Sequence, residues 1–387
     1  MDDSLTQRFP AAQAAASGVV IKLVNTPALV RSFVDLPYRL YRGDPHFVPP
    51  LRRDEIRRLS PAHYPFFRHA EMALWLAMSG DRVVGRIAAI EDRLYEETRG
   101  ERIAWFGFFE ADSAETAGGL LATVEQWAAG RGLPVVRGPV NPSLNDNGGV
   151  LVEGFDSDPY VLMPYNPISY AGFIEQAGYR KAKDLLAWSI QVSPPIGDRI
   201  ARVAERVKRR HDVTVRTVNL RKFDDELAVL QSIYREAWQD NWGFVAPTDA
   251  EIRQLAIELK PVLDPELLLF AEAHGTPVGC AVAIPDVNQV LKKMGGRILP
   301  FGWLHFLNRR HIITQLRVLL VGVLPGYRKT GLYPLIISEL QRRALARRYV
   351  SAELSWTLED NVEVNAGIEA AGGRRSKTYR IYERPIG

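Results

Sequence analysis

Alternating strand-like and helix-like hydrophobic patterns occur twice along this chain, in the same order each time. The first half begins with the strand-like run VVIKLVN at 19–25 and the helix-like run at 27–42, followed by a Pro-interrupted loop and a further helix. Three strands, a helix, a strand, a helix and a last strand then follow. The second half repeats this order from VTVRTV at 213–218 to KTYRIYER at 377–384. An internal repeat of this size predicts two copies of one fold.

The repeated order, β-α-α-β-β-β-α-β-α-β, predicts an α/β (α+β) chain of two tandem domains, each a mixed, mostly antiparallel sheet flanked by helices. Thr248 and Glu251 form a capping-box pattern that predicts a helix start in the second half. The predicted segments are a disordered tail at 1–18, a first domain at 19–192, a linker helix at 193–212 and a second domain at 213–387.

The strongest chemical signal lies in the second half, where LPGYRKTGLYPLI at 324–336 joins a strand to a helix. A helix start has unpaired N–H groups and a partial positive charge, which makes it a natural site for a pyrophosphate. Gly331 permits close approach of the backbone, and Arg328 and Lys329 add positive charge. The alternative is an ordinary strand–turn–helix with surface cations.

The element order and this turn together resemble the GNAT superfamily of acyl-CoA N-acyltransferases, whose motif Arg/Gln-x-x-Gly-x-Gly/Ala opens a helix. The corresponding residues here are Arg328, Lys329, Thr330, Gly331, Leu332 and Tyr333. Tyr333 departs from the family pattern, which has a small residue at this position. The resemblance implies that the turn binds the coenzyme of an acyl-CoA co-substrate, and that Val321 and Val323 on the preceding strand orient its pantetheine.

The resemblance also implies where the reaction takes place. In GNAT folds the strand before the turn splays from the next strand, and the pantetheine lies in the gap. Glu353, in the second of these strands, is the candidate general base, and the alternative is a structural ion pair with a nearby arginine. Asn361 matches the Asn that opens the family's next helix, where it orders the coenzyme or caps the helix.

The family's usual proton-donating Tyr corresponds to Ile368 in this chain, so the standard general acid is missing. Tyr333, Tyr379 or Tyr382 could replace it. Otherwise the thiolate leaves unassisted and takes its proton from water.

The first half lacks the phosphate motif. Its equivalent turn carries three carboxylates, Glu110, Asp112 and Glu115, which would repel a phosphate. Asp112 or Ser113 is predicted to be a helix N-cap instead. We therefore expect this half to bind no coenzyme and to serve as a scaffold and substrate wall.

A long loop of the first half, at 137–167, is rich in Asn, Asp, Gly and Tyr, which is typical of binding loops. This loop and the helix after it offer polar contacts to an amino-alcohol head group, or else supply turn-forming residues at the solvent. The candidate substrate contacts are Asn145, Asp146, Tyr165 and Tyr170.

The segment 287–316 has no place in the minimal fold and is called the insert below. Its apolar and aromatic centre includes Trp303 and His305, and basic residues flank this centre within 292–311. Such a composition suits a segment in the interface of an anionic membrane, and Trp303 and His305 are candidate substrate contacts there. The alternative is a buried insertion that packs on the other domain.

Three phrases of the first half, FVDLPYRLYRGDPHFVPPL, FGFFEA and RGPVNPS, resemble a group of bacterial GNAT-like proteins that includes ceramide synthases. Because those enzymes N-acylate a sphingoid base, the resemblance implies acyl-CoA-dependent N-acylation of a lipidic amine. The alternatives are acylation of a small soluble amine or amino acid, aminoacyl transfer from tRNA to peptidoglycan precursors, and a non-catalytic acyl-CoA sensor.

Composition and charge narrow the possible partners, metal sites and cellular locations. The net charge is +4 with a sequence pI near 9.1, and the single Cys280 rules out a disulfide framework. No nucleic-acid motif and no zinc-ligand spacing is present in the sequence. The N-terminal residues lack a signal-peptide core, and no apolar run reaches the roughly 18 residues of a membrane span. These features predict a cytoplasmic protein, either free or peripheral at the inner face of the inner membrane, with no metal and no nucleic-acid partner.

Overall fold

The computed structural model describes residues 18–193, 202, 205–207, 212–298 and 301–386. The predicted tail at 1–18 and the predicted linker helix at 193–212 lie almost entirely outside the described residues.

The described chain forms two compact units whose segments interleave along the sequence. Unit 1 contains the described parts of Met1–Val150, Pro164–Ala182 and Arg380–Gly387, and unit 2 contains those of Leu151–Met163 and Lys183–Tyr379. The predicted domain boundaries at 19–192 and 213–387 stay a prediction.

Strands and helices alternate along the described chain much as the hydrophobic pattern predicts. The strands are β1 (Val19–Leu23), β2 (Ala70–Ser79), β3 (Arg82–Asp92), β4 (Ala104–Ala111), β5 (Val135–Gly138), β6 (Val150–Glu153), β7 (Arg180–Gln191), β8 (Val213–Thr217), β9 (Leu268–Ala273), β10 (Thr276–Pro285), β11 (Gln315–Val323), β12 (Ser351–Leu358) and β13 (Arg374–Pro385). The helices are α1 (Pro27–Leu40), α2 (Arg52–Arg58), α3 (Arg93–Arg99), α4 (Ala114–Ala129), α5 (Ser169–Gln176), α6 (Phe223–Trp238), α7 (Asp249–Leu259), α8 (Asn288–Met294), α9 (Gly302–Leu307), α10 (Arg309–Ile312), α11 (Leu332–Ala346) and α12 (Val362–Ala370).

The strand register confirms the predicted fold class, a mixed and mostly antiparallel sheet flanked by helices. In unit 1, β1 to β4 pair antiparallel in order, β4 runs parallel to β5, and the end of β13 pairs antiparallel with β5. In unit 2 the order is β7-β12-β11-β10-β9-β8, with β11 and β12 parallel and the other pairs antiparallel.

Two predicted helix features are confirmed. Ser113 is the N-cap of α4, where its side chain accepts a hydrogen bond from the Thr116 N–H. Thr248 and Glu251 form a complete capping box at the start of α7. The apolar face of α11, which includes Leu335 and Ile336, is buried in the main hydrophobic core of unit 2 and fixes the position of this helix.

Candidate functional site

Strands β11 and β12 of unit 2 separate partway along their length, as the resemblance to GNAT folds implies. Their parallel pairing runs from Gln315–Ser351 to Val318–Leu354 and ends there, whereas β11 continues beside β10 to Val323. Leu319 is an extra residue in β11 relative to β10, so a β-bulge lies at the separation point. Backbone groups of β11 beyond this bulge no longer have β12 as a partner, which leaves a place where an extended ligand can bond to the strand.

The predicted phosphate turn follows β11 directly. A 3₁₀ turn covers Pro325–Thr330, and Gly331 has a left-handed φ of 88° at the N-cap of α11. This φ is readily adopted only by glycine, so Gly331 sets the angle at which α11 begins. Arg328 and Lys329 are exposed, and the Arg328 Nη2 donates to the Ala237 carbonyl of α6 at 3.0 Å. Two cations and a helix N-terminus therefore lie at the end of β11.

Tyr333 lies in the first turn of α11 and points back toward β11. Its ring packs against the core of unit 2. Burial raises the pKa of the phenol above its usual 10, although a hydrogen bond from the Val323 N–H opposes this rise. The Tyr333 hydroxyl thus accepts the hydrogen bond of the Val323 N–H, one of the backbone groups that we expected to orient the pantetheine.

Glu353 lies where β11 and β12 separate, in register with Arg317 of β11. The carboxylate is 1% exposed, and its Oε1 accepts a hydrogen bond from the Ser355 hydroxyl at 2.7 Å. Arg317 donates from Nε to the same hydroxyl at 2.9 Å, so Ser355 links the guanidinium to the carboxylate. The second oxygen, Oε2, is buried without a hydrogen-bond partner. Oε1 is therefore held by a hydrogen bond, whereas Oε2 is available to accept one from a ligand.

Further ionisable groups surround Glu353. Burial raises the pKa of Glu353, while the Ser355 hydrogen bond and the charges of Arg317 and Lys377 oppose the rise. Burial likewise raises the pKa of Asp286, at the end of β10, to about 7, and it lowers the pKa of Lys377. A carboxylate with a raised pKa in a buried site is suited to act as a general base near neutral pH.

The segment 151–163 lies against this polar cluster and belongs to unit 2. Side chains of unit 2 hold its backbone: the Arg317 Nη1 donates to the Val161 carbonyl at 2.8 Å, and Asp286 accepts from the Val161 N–H at 2.9 Å. Lys377 donates to the carbonyls of Gly154 and Ser157. The part of the long loop nearest the candidate base is therefore this segment.

Arg317, Ser355, Asp286 and Lys377 were missed by the sequence analysis. Arg317 and Lys377 lie in the strand-like runs of β11 and β13, and each is almost fully buried. For Arg317, a cation within a strand that is otherwise mostly apolar was the available signal, because a buried charge needs a partner. Lys377 lies among several other charged residues of β13, so no such signal marked it. Their partners come from distant parts of the chain and could not be identified from the sequence.

The other candidates for catalysis occupy distinct places. Asn361 is the N-cap of α12, but its side chain makes no capping hydrogen bond. Tyr379 belongs to unit 2, is fully buried and interacts electrostatically with Glu353 and Arg317. Tyr382 belongs to unit 1, where its hydroxyl donates to Glu175 at 2.8 Å. The three tyrosines considered as replacements for the missing acid therefore have different surroundings.

The predicted substrate contacts of the first half all lie in unit 1. Tyr170 is buried, and its hydroxyl donates to Glu110 at 2.7 Å. Tyr165 donates to Asp44, and Asp146 accepts from Tyr64 at 2.7 Å, while Asn145 is exposed. Their role toward a substrate stays a prediction.

Glu110 is buried on β4 in unit 1 and does not lie at the turn that corresponds to the predicted phosphate turn. Besides Tyr170, the Tyr41 hydroxyl and Arg86 bond to its carboxylate. Of the three carboxylates expected to repel a phosphate, Asp112 and Glu115 flank the start of α4, where Asp112 accepts from the Thr116 hydroxyl. The expectation that this half binds no coenzyme stays a prediction.

The insert forms three short helices, α8 to α10, and exposes apolar side chains. Phe301 is 70% exposed and Leu307 65% exposed, and Ile298, Trp303 and Leu304 are also exposed. His305 is half-buried on α9. Lys293, Arg297, Arg310 and His311 are exposed cations or potential cations around this surface. No helix of the described residues is long and apolar enough to cross a bilayer.

Comparison with known proteins identifies close relatives along the whole chain. No protein-family model matches it. The bacterial ceramide synthase of Caulobacter vibrioides (strain NA1000 / CB15N) is 37% identical over 374 residues, which cover 94% of this chain and 96% of that protein. Protein YghO of Escherichia coli (strain K12) is 33% identical over 377 residues, covering 95% of this chain and 96% of that protein.

Solved structures show the same fold at low sequence identity. A tandem GNAT protein from the clavulanic acid biosynthesis pathway has a TM-score of 0.56 and 13% identity, covering 95% of this chain and 99% of that chain. A GCN5-related N-acetyltransferase from Sphaerobacter thermophilus has a TM-score of 0.53 and 14% identity, with 96% of each chain covered. The tandem GNAT fold predicted from the sequence is therefore confirmed.

Proposed function

We propose, from the premise that this chain belongs to the bacterial ceramide synthase family of N-acyltransferases, that it transfers a fatty acyl group from acyl-CoA to the amine of a sphingoid base. The family membership rests on 37% identity across almost the whole chain. The observation that carries the proposed mechanism is Glu353, a buried carboxylate with one fixed and one available oxygen at the gap between β11 and β12.

The proposed reaction follows from these groups. The amine nitrogen attacks the thioester carbonyl, Glu353 takes the proton that the nitrogen loses, and the C–S bond breaks to give the amide. The CoA thiolate leaves and takes its proton from water. Backbone groups of Val321 bond to the pantetheine, and the Val323 N–H can do so once the Tyr333 hydroxyl releases it. The helix start at Gly331 with Arg328 and Lys329 binds the pyrophosphate. Thr330, Leu332 and Asn361 shape the same coenzyme site.

An acceptor panel tests this function. The purified protein is incubated with acetyl-, octanoyl- or palmitoyl-CoA and with sphinganine or a mixture of amino acids, and mass spectrometry identifies any amide. The account predicts N-palmitoyl sphinganine as the main product. A small acylated amino acid formed best from acetyl-CoA would support the soluble-amine alternative, and tight CoA binding without any amide would support the sensor.

The insert is proposed to attach the protein to an anionic membrane surface. Its exposed apolar side chains would enter the interface, while Lys293, Arg297 and Arg310 would lie at the level of the lipid head groups. Lys292 pairs with Asp158 at 2.6 Å and contributes less to such binding. Trp303 and His305 would contact the lipidic substrate from this surface. A lipidic amine is most accessible to an enzyme at that position.

Replacing both Phe301 and Leu307 with Asp is expected to weaken binding to vesicles of phosphatidylcholine and phosphatidylglycerol on the order of 100-fold, because inserted apolar area is lost. Sedimentation of the protein with the vesicles measures this. Ile257→Asp is the matched control, since Ile257 is 50% exposed on α7, outside the insert. Equal binding of the double variant and the wild type would contradict the proposed surface.

Tyr333→Ala is expected to raise the ratio of kcat/KM for palmitoyl-CoA to that for octanoyl-CoA roughly tenfold, because removing the ring opens space beside β11. Tyr333→Phe keeps the ring and loses only the hydroxyl that bonds to Val323, so it should keep the wild-type ratio. Kinetic assays with both acyl-CoAs give the result. An unchanged ratio in Tyr333→Ala would assign this residue to core packing alone.

A further inference from the structure

Two buried polar atoms in the described part of unit 2 lack a hydrogen-bond partner, and both belong to the cluster around Glu353. They are the Glu353 Oε2 and the Tyr379 Oη. The side chains are 1% and 0% exposed, so bulk solvent does not reach either atom. Buried polar atoms are nearly always hydrogen-bonded, and an unpaired one in a native protein calls for an explanation.

The two atoms have complementary chemistry. Glu353 Oε2 can only accept a hydrogen bond when the carboxylate is ionised, whereas the Tyr379 hydroxyl can donate one. The phenol interacts electrostatically with Glu353 and Arg317, so it belongs to the same site as the candidate base. A ligand that satisfies both atoms brings an N–H to the carboxylate and an oxygen to the phenol.

We propose that Glu353 Oε2 and Tyr379 Oη together form the subsite for an amine that carries an oxygen on a neighbouring carbon, such as a long-chain amino alcohol. The amine donates to Glu353, and the hydroxyl or carbonyl oxygen accepts from Tyr379. Tyr379 is in this assignment a specificity-determining residue for the acceptor. The inference rests on the proposed function and deepens it, because it predicts that an amino alcohol is preferred over a plain alkylamine.

Tyr379 is suited to bind a ligand oxygen. Burial raises the pKa of its phenol well above the usual 10. A phenol that stays protonated remains a constant hydrogen-bond donor. Tyr379 in this assignment binds the acceptor oxygen.

The segment 151–163 packs on residues that neighbour this pair. Arg317 bonds both to Ser355 and to the Val161 carbonyl, and Tyr160 of the segment bonds to Ser351 of β12. Gly154 has a φ of 89°, and a Cβ there would lie 2.1 Å from the Ser376 carbonyl. The segment is thus held beside the Glu353 cluster by polar contacts and close backbone packing.

The test compares sphinganine with octadecylamine, which has the same amine and a similar chain but no oxygen, using palmitoyl-CoA as donor. In Tyr379→Phe the preference for sphinganine, expressed as a ratio of kcat/KM values, should fall on the order of tenfold. The melting temperature should be unchanged or higher, because the lost hydroxyl has no partner within the protein. Tyr179→Phe, which removes a buried phenol hydroxyl in unit 1, should keep the wild-type preference.

An unchanged preference in Tyr379→Phe would overturn the subsite while leaving the proposed function intact. A lower melting temperature with an unchanged preference would show that the hydroxyl serves the fold, for example through an internal water. A wild-type protein that acylates neither amine would overturn the proposed function and the subsite together.

Discussion

Glu353→Gln lowers kcat for amide formation by about 10²–10⁴-fold, since glutamine cannot take a proton from the attacking amine. Glutamine keeps the size of the side chain and an oxygen that accepts from Ser355, so the loss reports on the proton acceptor rather than on packing. Steady-state kinetics with palmitoyl-CoA and sphinganine measures the change. Glu258→Gln, the same substitution on the exposed surface of α7, should leave kcat within twofold of the wild type.

The pH dependence of kcat/KM tests independently whether Glu353 is the general base. A base acts when ionised, and burial raises the pKa of Glu353 above its usual 4.5, so kcat/KM should rise with pH along a limb displaced toward neutral pH. The residual activity of Glu353→Gln should lack this limb. Asp286 has a pKa raised to about 7 and lies nearby, so Asp286→Asn serves as the control that keeps the limb. Persistence of the limb in Glu353→Gln would assign it to another group.

Arg328→Glu is expected to raise KM for palmitoyl-CoA on the order of 100-fold, with a smaller effect on kcat. An arginine–phosphate hydrogen bond is charge-assisted, and a carboxylate at the same position repels the pyrophosphate. Titration with CoA measures the affinity directly. Arg342→Glu reverses the same charge on α11, where its exposed pair with Glu339 contributes little. Equal CoA affinity in Arg328→Glu and wild type would remove the turn from the coenzyme site.

The order of elements could be predicted because it depends on local patterns. Alternation and helical periodicity indicated β10, β11 and α11, and the capping box at Thr248 fixed the start of α7. Glycine at a left-handed position marked the turn before α11. Each of these features is decided within a few residues of the chain.

The exchange of segments between the two units could not be predicted. The strand pattern of β7 is the same whichever neighbour it has, yet its residues Leu185–Gln191 pair with β12 of unit 2. The end of β13 pairs with β5 of unit 1. Pairing partners in a sheet are set by contacts between distant residues, and neither hydrophobic pattern nor turn chemistry identifies them.

The candidate site was predictable only in part. Glu353 was singled out as a carboxylate in a strand beside the gap, but the sequence left a structural ion pair as an equal alternative. In the structure Arg317 reaches Glu353 through Ser355, and the second carboxylate oxygen has no partner. The sequence offered Tyr379 together with Tyr333 and Tyr382 as a replacement for the general acid. The structure distinguishes them, since Tyr379 is fully buried and interacts electrostatically with Glu353.

Acyl transfer to an amine at Glu353 can be tested by measuring both products of the reaction in one assay. Palmitoyl-CoA labelled in its acyl chain is incubated with sphinganine, and the free CoA thiol and the labelled amide are quantified together. The account predicts equal amounts of thiol and amide for the wild type, and loss of both in Glu353→Gln. Thiol released without amide, or amide formed equally by Glu353→Gln, would contradict it.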